Sequence, residues 1–351
     1  MSVKVYVGMS GGVDSSVTAA LLQKQGYNVT GVYMKNWTQD LPGMKCPWAD
    51  DLADAKRVAV QLNIPFKVFD FQKEYKQKVV DYMIAEYKAG RTPNPDIMCN
   101  QEVKFKLFLQ TALDDGADMI ATGHYAATKN GQLHVAADAA KDQTYFLYRI
   151  SKGALNKTLF PLGGMTKPDV RKMAQEFGLA TAAKKDSQGI CFVGKVGIKD
   201  FLLQYVEPNP GDVIDKNTGK KLGEHDGAIF YTFGQRHGLG VGGGLPYYVV
   251  GKDMAKNIVY VTTNLNDDSL WRDGLHLTQL HWINAAPEQN KTYKVRTRYR
   301  APLVGCKITH TSDGELTLRL DEPERAITPG QSAVIYDGGR VVGGGIVAAA
   351  F

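Results

Sequence analysis

Seven residues near the start of the chain, Ser10-Gly11-Gly12-Val13-Asp14-Ser15-Ser16, restrict its fold more than any other stretch. They follow residues 3–9, whose apolar side chains alternate as in a short strand, and precede residues 17–25, which read as a helix closed by Gly26. A strand, a Gly-rich turn and a helix in that order aim unpaired backbone N–H groups and the positive end of a helix dipole at an anion. Two glycines let the turn tighten and approach phosphate oxygens, and three serine hydroxyls add donors. Asp14 is placed either to hold a Mg²⁺ ion or to cap the helix. The Gly-x-x-x-x-Gly-Lys-Ser/Thr pattern of the common phosphate loop does not fit here. On these residues alone the stretch is an anion site, although a Gly- and Ser-rich helix cap without a ligand shares much of its composition.

The first half of the chain continues that alternation. Residues 28–34, 66–71 and 118–123 read as strands, and residues 50–62, 74–89 and 101–115 as helices, the second closed by Gly90. Strands separated by helices of this length predict an α/β fold with a doubly wound parallel sheet, whose ligands bind at the carboxyl ends of the strands. Residues 9–14, 34–37 and 123–125 all fall at such ends. Asn130-Gly131 reads as a hairpin turn. Thr166 with Pro168 opens a helix that Gly178 ends.

From about residue 208 the texture changes to short β-type segments between Gly- and Pro-marked turns. The expected division is an α/β domain over 1–205, a small central β-rich domain over 206–274 and a C-terminal β-barrel over 275–351. Within the barrel, residues 294–298 read as a strand, on which Arg296, Arg298 and Arg300 would alternate onto one basic face suited to phosphates. A solvated edge strand would look the same. Residues 338–345 read as turns between strands.

Lysine and arginine number 42 against 36 acids, a net charge of +6 that permits a polyanionic partner without requiring one. No apolar run approaches the roughly 18 residues that span a bilayer, so no membrane association is expected. The first residues run straight into a strand, so no secretory leader is expected. Four scattered cysteines without metal-ligand spacing point to a reducing, cytoplasmic setting. Cys306 and Cys46 suit the reading of small buried hydrophobes. Cys99 and Cys191 differ. Cys99 ends the Pro-stiffened run Asn94-Pro95-Asp96-Ile97-Met98-Cys99 at a helix start, where the dipole favours thiolate, and Asp96 is a candidate acid or base. Cys191 follows Lys184-Lys185-Asp186-Ser187-Gln188-Gly189-Ile190, and the two lysines favour its ionised form.

The stretch Ser10–Ser16 resembles the pyrophosphate-binding loop of the N-type ATP pyrophosphatases. Further along, Asn94-Pro95-Asp96 with Cys99, Gly123-His124-Tyr125, Lys141-Asp142-Gln143, Gly189-Ile190-Cys191-Phe192, Phe233–Gly240 and Arg298-Tyr299 occur in order. Together they resemble the bacterial tRNA-specific 2-thiouridylases (the MnmA/TrmU family) over essentially the whole chain.

That resemblance implies ATP-dependent placement of sulfur on carbon 2 of the wobble uridine in tRNAs for Lys, Glu and Gln. It implies ATP and Mg²⁺ as cofactors, ATP being bound by Gly8, Met9, Ser10, Gly11, Gly12, Val13, Asp14 and Ser15, with Met34 and Gly123 near the adenosine. The C2 oxygen would be adenylated, which turns a poor leaving group into a good one. Cys191 would carry a persulfide received from a sulfur-relay protein or cysteine desulfurase. Cys99 would release or assist transfer of that sulfur, with a disulfide to Cys191 as one route, and Asp96 would serve as acid or base. The resemblance assigns Asn94, Pro95 and Asp96 to the target base, and Lys141, Asp142, Gln143, Arg298, Tyr299 and Gln331 to tRNA. It favours a tRNA contact for His124, where spacing alone leaves a core histidine equally open. Phe233–Gly240 carries no assigned chemistry. A monomer is expected. Two rival readings use the same loop: an ATP pyrophosphatase acting on a small molecule, and a non-catalytic tRNA-binding protein.

Overall fold

The computed structural model describes residues 2–40, 46–186, 197–242, 244–289, 291–312 and 314–351. Strands β1 (Lys4–Gly8), β2 (Asn28–Lys35), β3 (Phe66–Asp70) and β4 (Met119–Thr122) pair in parallel in the order β3-β2-β1-β4, and the short strand Thr158–Leu159 extends the sheet beyond β4. Side chains alternate across β1. Val5 and Val7 face one apolar layer with Val17 and Ala20 of helix α1 (Val13–Lys24), Val58 of helix α2 (Trp48–Gln61) and Val170. Tyr6 faces the other layer, with Val79 and Met83 of helix α3 (residues 72–88) and Val103 and Phe108 of helix α4 (residues 95–114). Helices therefore cover both faces, as the alternation of strand and helix predicts. The strand order reverses between β1 and β4, and the crevice of such a sheet lies at that reversal.

Two local expectations hold. Asn130 and Gly131 both have positive φ (52° and 69°) and join strands Ala127–Lys129 and Gln132–His134. Thr166 caps helix Lys167–Glu176 in a capping box with Asp169.

A four-stranded sheet forms the central part, with Ile258–Thr262 between Tyr248–Asp253 and Gly211–Asp215. The last third closes into a six-stranded barrel through pairing of Trp271–Trp282 with Arg340–Ala350. Its inside is a core of Leu275, Leu277, Val295, Ile308, Leu318 and Ile335. The hairpin of residues 127–134 pairs with the closing strand, His134 opposite Arg340, so the α/β domain contributes two strands to the barrel sheet.

Two expectations for the barrel are corrected. The strand read over residues 294–298 ends at Arg296 (Thr292–Arg296); Arg298 lies in a bend and Arg300 takes a left-handed φ of 64°, so the three arginines share no strand face. Residues 343–345 are not a turn but part of the closing strand Arg340–Ala350. Glycine is required there by close approach: a Cβ on Gly344 would lie 2.2 Å from the Ala333 carbonyl oxygen.

Candidate active site

The turn after β1 enters α1 with no side-chain cap, which leaves the first-turn N–H groups of a 12-residue helix without a side-chain acceptor. Within the turn, the Ser15 hydroxyl accepts from the Ser10 N–H at 3.1 Å and donates to the Gly12 carbonyl at 3.1 Å, while Ser16 donates to the same carbonyl at 2.8 Å. Ser10 is exposed. Met9 and Val13 point into the core, so only their backbone faces the turn. The predicted neighbours converge. A Cβ on Gly123 would lie 2.7 Å from the Ser15 nitrogen, so only glycine lets the end of β4 abut this turn, and Met34 Cε lies beside Gly8. This is a cradle suited to a nucleotide's phosphates.

Asp14 neither caps the helix nor stands open to a metal. Lys167 donates to both its carboxylate oxygens, at 2.7 and 2.8 Å, and the Tyr125 hydroxyl donates to one of them at 2.9 Å. The same ammonium lies 2.8 Å from Asp186, and the Lys167 side chain is 10% exposed. Asp14 so arranged does not fit a Mg²⁺ ligand, and no group of three metal-ligating side chains occurs among the described residues. Asp186 also receives Lys141 at 2.7 Å and Arg171 at 2.8 Å. Its desolvation opposes ionisation, but Lys141 and Lys167 outweigh it and hold the carboxyl down at about 2. Sequence reasoning missed Lys167. The one local signal was a lysine at the first position of a helix, where the dipole disfavours a cation.

Asn94 caps α4, its side-chain oxygen accepting from the Ile97 N–H, with Pro95 in the first turn. Asp96 is half-buried, and Cys99 lies one turn further on, 1% exposed. The segment leading in is tied to the rest of the molecule. Thr92 donates its N–H to the Pro329 carbonyl at 2.9 Å, its hydroxyl lies 3.1 Å from that of Thr232, and Gln331 donates to the Thr92 carbonyl at 2.8 Å. Cys191 lies outside the described residues. Cys306 is fully buried, and burial pushes its thiol up to about 12, as befits a packed side chain; burial also raises the thiol of Cys46.

Of the residues expected to meet tRNA, Lys141, Asp142 and Tyr299 come together and line one cavity of about 450 Å³ with Arg296 and Arg300. Asp142 is buried (5% exposed) and accepts from the Ala136 N–H, Thr144 and Arg296, so it braces this wall from within. Gln143 accepts from the Tyr125 N–H at 2.9 Å. Arg298 stands apart from the cavity and donates to the Arg325 and Ala326 carbonyls. The His124 ring lies against Phe105 and Phe160, and its Nδ1 is 2.8 Å from Thr122 Oγ1. Burial, then the Lys104 ammonium 3.5 Å from Nε2, lowers its pKa well below the usual histidine range. An ammonium only donates, so Nε2 is the acceptor and Nδ1 carries the proton.

Fold and site define a doubly wound, phosphate-binding α/β domain docked on a closed β-barrel. Family models match it in three consecutive pieces: a tRNA methyl transferase HUP domain over residues 3–195, a tRNA methyl transferase PRC-barrel domain over 199–263 and an aminomethyltransferase β-barrel domain over 272–347. Near-full-length relatives carry a different description. The tRNA-specific 2-thiouridylase MnmA of Shouchella clausii is 48% identical over 98% of this chain and 96% of its own. That of Histophilus somni (strain 2336) is 49% identical over 98% of this chain and 92% of its own. That of Lacticaseibacillus paracasei is 48% identical over 100% and 95%. Likeness to solved structures is looser: a 4-thiouridine synthetase–RNA complex with bound ATP aligns with a TM-score of 0.39 and 19% identity over 58% of this chain and 50% of that one, too distant to bear on the argument. Identity of this level along the whole length outweighs the labels of single domains, and the chain belongs to the tRNA-specific 2-thiouridylase family.

Proposed function

We propose that this protein is a tRNA-uridine 2-sulfurtransferase that uses ATP to exchange the C2 oxygen of a wobble uridine for sulfur. The observation that carries this reading is the 48% identity to a 2-thiouridylase along 98% of the chain, with an uncapped phosphate turn at the sheet's reversal point. In the turn of residues 8–15, the backbone N–H groups of residues 11–15 and the Ser10 hydroxyl cradle the triphosphate, Met34 and Gly123 flank the adenosine, and Lys167 holds the Asp14 carboxylate in place. The C2 oxygen attacks the α-phosphorus and pyrophosphate leaves. Sulfur then adds at C2 and AMP departs with the former oxygen.

Asn94, Pro95 and Asp96 address the uridine, Asp96 moving the proton as acid or base. Cys191 delivers sulfur as a persulfide from a relay protein or desulfurase: the terminal sulfur adds at C2, Cys99 attacks the Cys191 Sγ, and the S–S bond breaks toward the base. The Cys99–Cys191 disulfide so formed is reduced by an external thiol before the next turnover. Burial of Cys99 keeps such chemistry away from water. The cavity lined by Lys141, Tyr299, Arg296 and Arg300 offers cations and an aromatic face to an RNA strand, with tRNAs for Lys, Glu and Gln as acceptors. Mg²⁺ has no assigned ligand in this scheme. Product analysis tests the reading: ATP with tRNA and a sulfide donor should give AMP and pyrophosphate in a tRNA-dependent manner. Formation of ADP and phosphate, or turnover indifferent to tRNA, contradicts it.

A further inference from the structure

Gln331 lies on the barrel turn after Gly330, and 238 residues separate it from Pro93. Its Nε2 donates to the Thr92 carbonyl at 2.8 Å and to the Pro93 carbonyl at 3.3 Å. These are the last two carbonyls before Asn94, the cap of the helix that carries Asp96 and Cys99. The rest of the turn is shaped to the same segment. Pro329 accepts the Thr92 N–H at 2.9 Å, and Gly330, at φ +94°, lies so close that a Cβ would stand 2.7 Å from the Thr92 nitrogen. The turn is itself fixed to the closing strand: Val347 accepts the Gly330 N–H at 2.9 Å and donates to the Gln331 carbonyl at 2.8 Å.

A carboxamide nitrogen carries two hydrogens, and here both point at protein carbonyls. The amide oxygen is the group left to meet an RNA donor. Pro93 and Pro95 stiffen the intervening residues, so a displacement at Thr92 passes directly to the Asn94 cap.

We propose that Gln331 is a positioning residue: its amide N–H groups hold the Thr92–Pro93 carbonyls and so set the placement of Asp96 and Cys99 from the barrel. The proposal rests on reading residues 94–99 as the part of the site that meets the uridine. It converts a residue expected to touch tRNA into one that acts chiefly through the protein.

Two variants of the full-length protein separate the roles. Gln331→Glu keeps the side-chain oxygen but exchanges the NH2 and its two donor hydrogens for a second oxygen, which sets a carboxylate against two carbonyls. Gln331→Met keeps the length and removes all hydrogen bonding. Both should lower kcat for thiolation by about tenfold or more while the KM for tRNA stays within about threefold, the pattern of lost positioning. In the reduced protein without RNA, peptide mass analysis should show Cys99 alkylated several-fold faster in both variants than in wild type, at unchanged thermal unfolding. A raised KM with unaltered kcat, or wild-type kcat in Gln331→Glu, overturns the proposal and leaves a tRNA contact only. Unchanged alkylation of Cys99 overturns it too. Should the wild-type protein form no thiouridine, the functional reading falls, while the alkylation comparison still decides whether Gln331 positions this segment.

Discussion

The Lys167 ammonium is shared by Asp14 and Asp186, at 2.7 and 2.8 Å, so one buried cation ties the phosphate turn to the segment that follows the helix Lys167–Glu176. Replacing it leaves Asp14 with only the Tyr125 hydroxyl as a partner, while Asp186 keeps Lys141 and Arg171. Lys167→Met is therefore expected to destabilise the fold by about 1–2 kcal/mol, less than a fully buried broken pair because both carboxylates are partly exposed, with Lys167→Arg recovering most of it. Urea unfolding measures both. An unchanged midpoint in Lys167→Met would show that the ion pair carries no weight.

The charge cluster also sets an acid limit. The folded-state pKa of Asp186, about 2, lies below its ordinary value of 3.8, so the carboxylate's contribution is present above pH 4 and is lost as pH falls toward 2. That contribution is about 2 kcal/mol, and Asp186→Asn should forgo it at neutral pH while flattening the stability profile between about pH 4 and 2. A parallel profile in the variant would contradict the assignment.

For the cysteines, Cys191→Ser should abolish thiolation yet leave ATP-dependent adenylation of tRNA measurable, and Cys99→Ala should lose thiolation as well. Nucleoside analysis and pyrophosphate release distinguish the two steps. Full thiolation by either variant removes that residue from the mechanism. Cys306 should resist alkylation in the native protein, since its buried thiol ionises only near 12.

Barrel closure supplies a stability prediction. Gly344→Ala forces a methyl group to within 2.2 Å of the Ala333 carbonyl oxygen, so the closing strand must shift. A loss of about 2 kcal/mol or more is expected from such overpacking in thermal or urea unfolding. A neutral substitution would mean that the strand yields freely.

What the sequence disclosed was what neighbouring residues settle among themselves. The strand–turn–helix around Ser10–Ser16, the Asn130-Gly131 hairpin and the Thr166 cap depend on backbone geometry a few residues long, and each forms as the residues predict, although the first helix starts at Val13, four residues before the expected 17. Lys167 meets Asp14 across 153 positions and Gln331 meets Thr92 across 239, and no local pattern announces either partner. Arg296 misled for the same reason. Alternation suggested an outward basic row, but Asp142 and the Tyr336 ring draw its guanidinium inward from other parts of the chain. Residues 343–345 read as turns because glycine marks turns, whereas here it admits strands too close for a side chain.

The most direct test is mass analysis of tRNA nucleosides after unmodified tRNA is incubated with the protein, ATP, Mg²⁺, a cysteine desulfurase with cysteine as the persulfide source, and a thiol reductant. The expected product is a uridine heavier by the exchange of one oxygen for sulfur, at the wobble position, and only when ATP is present. A nucleoside profile unchanged by the protein, or sulfur incorporated equally without ATP, would contradict it.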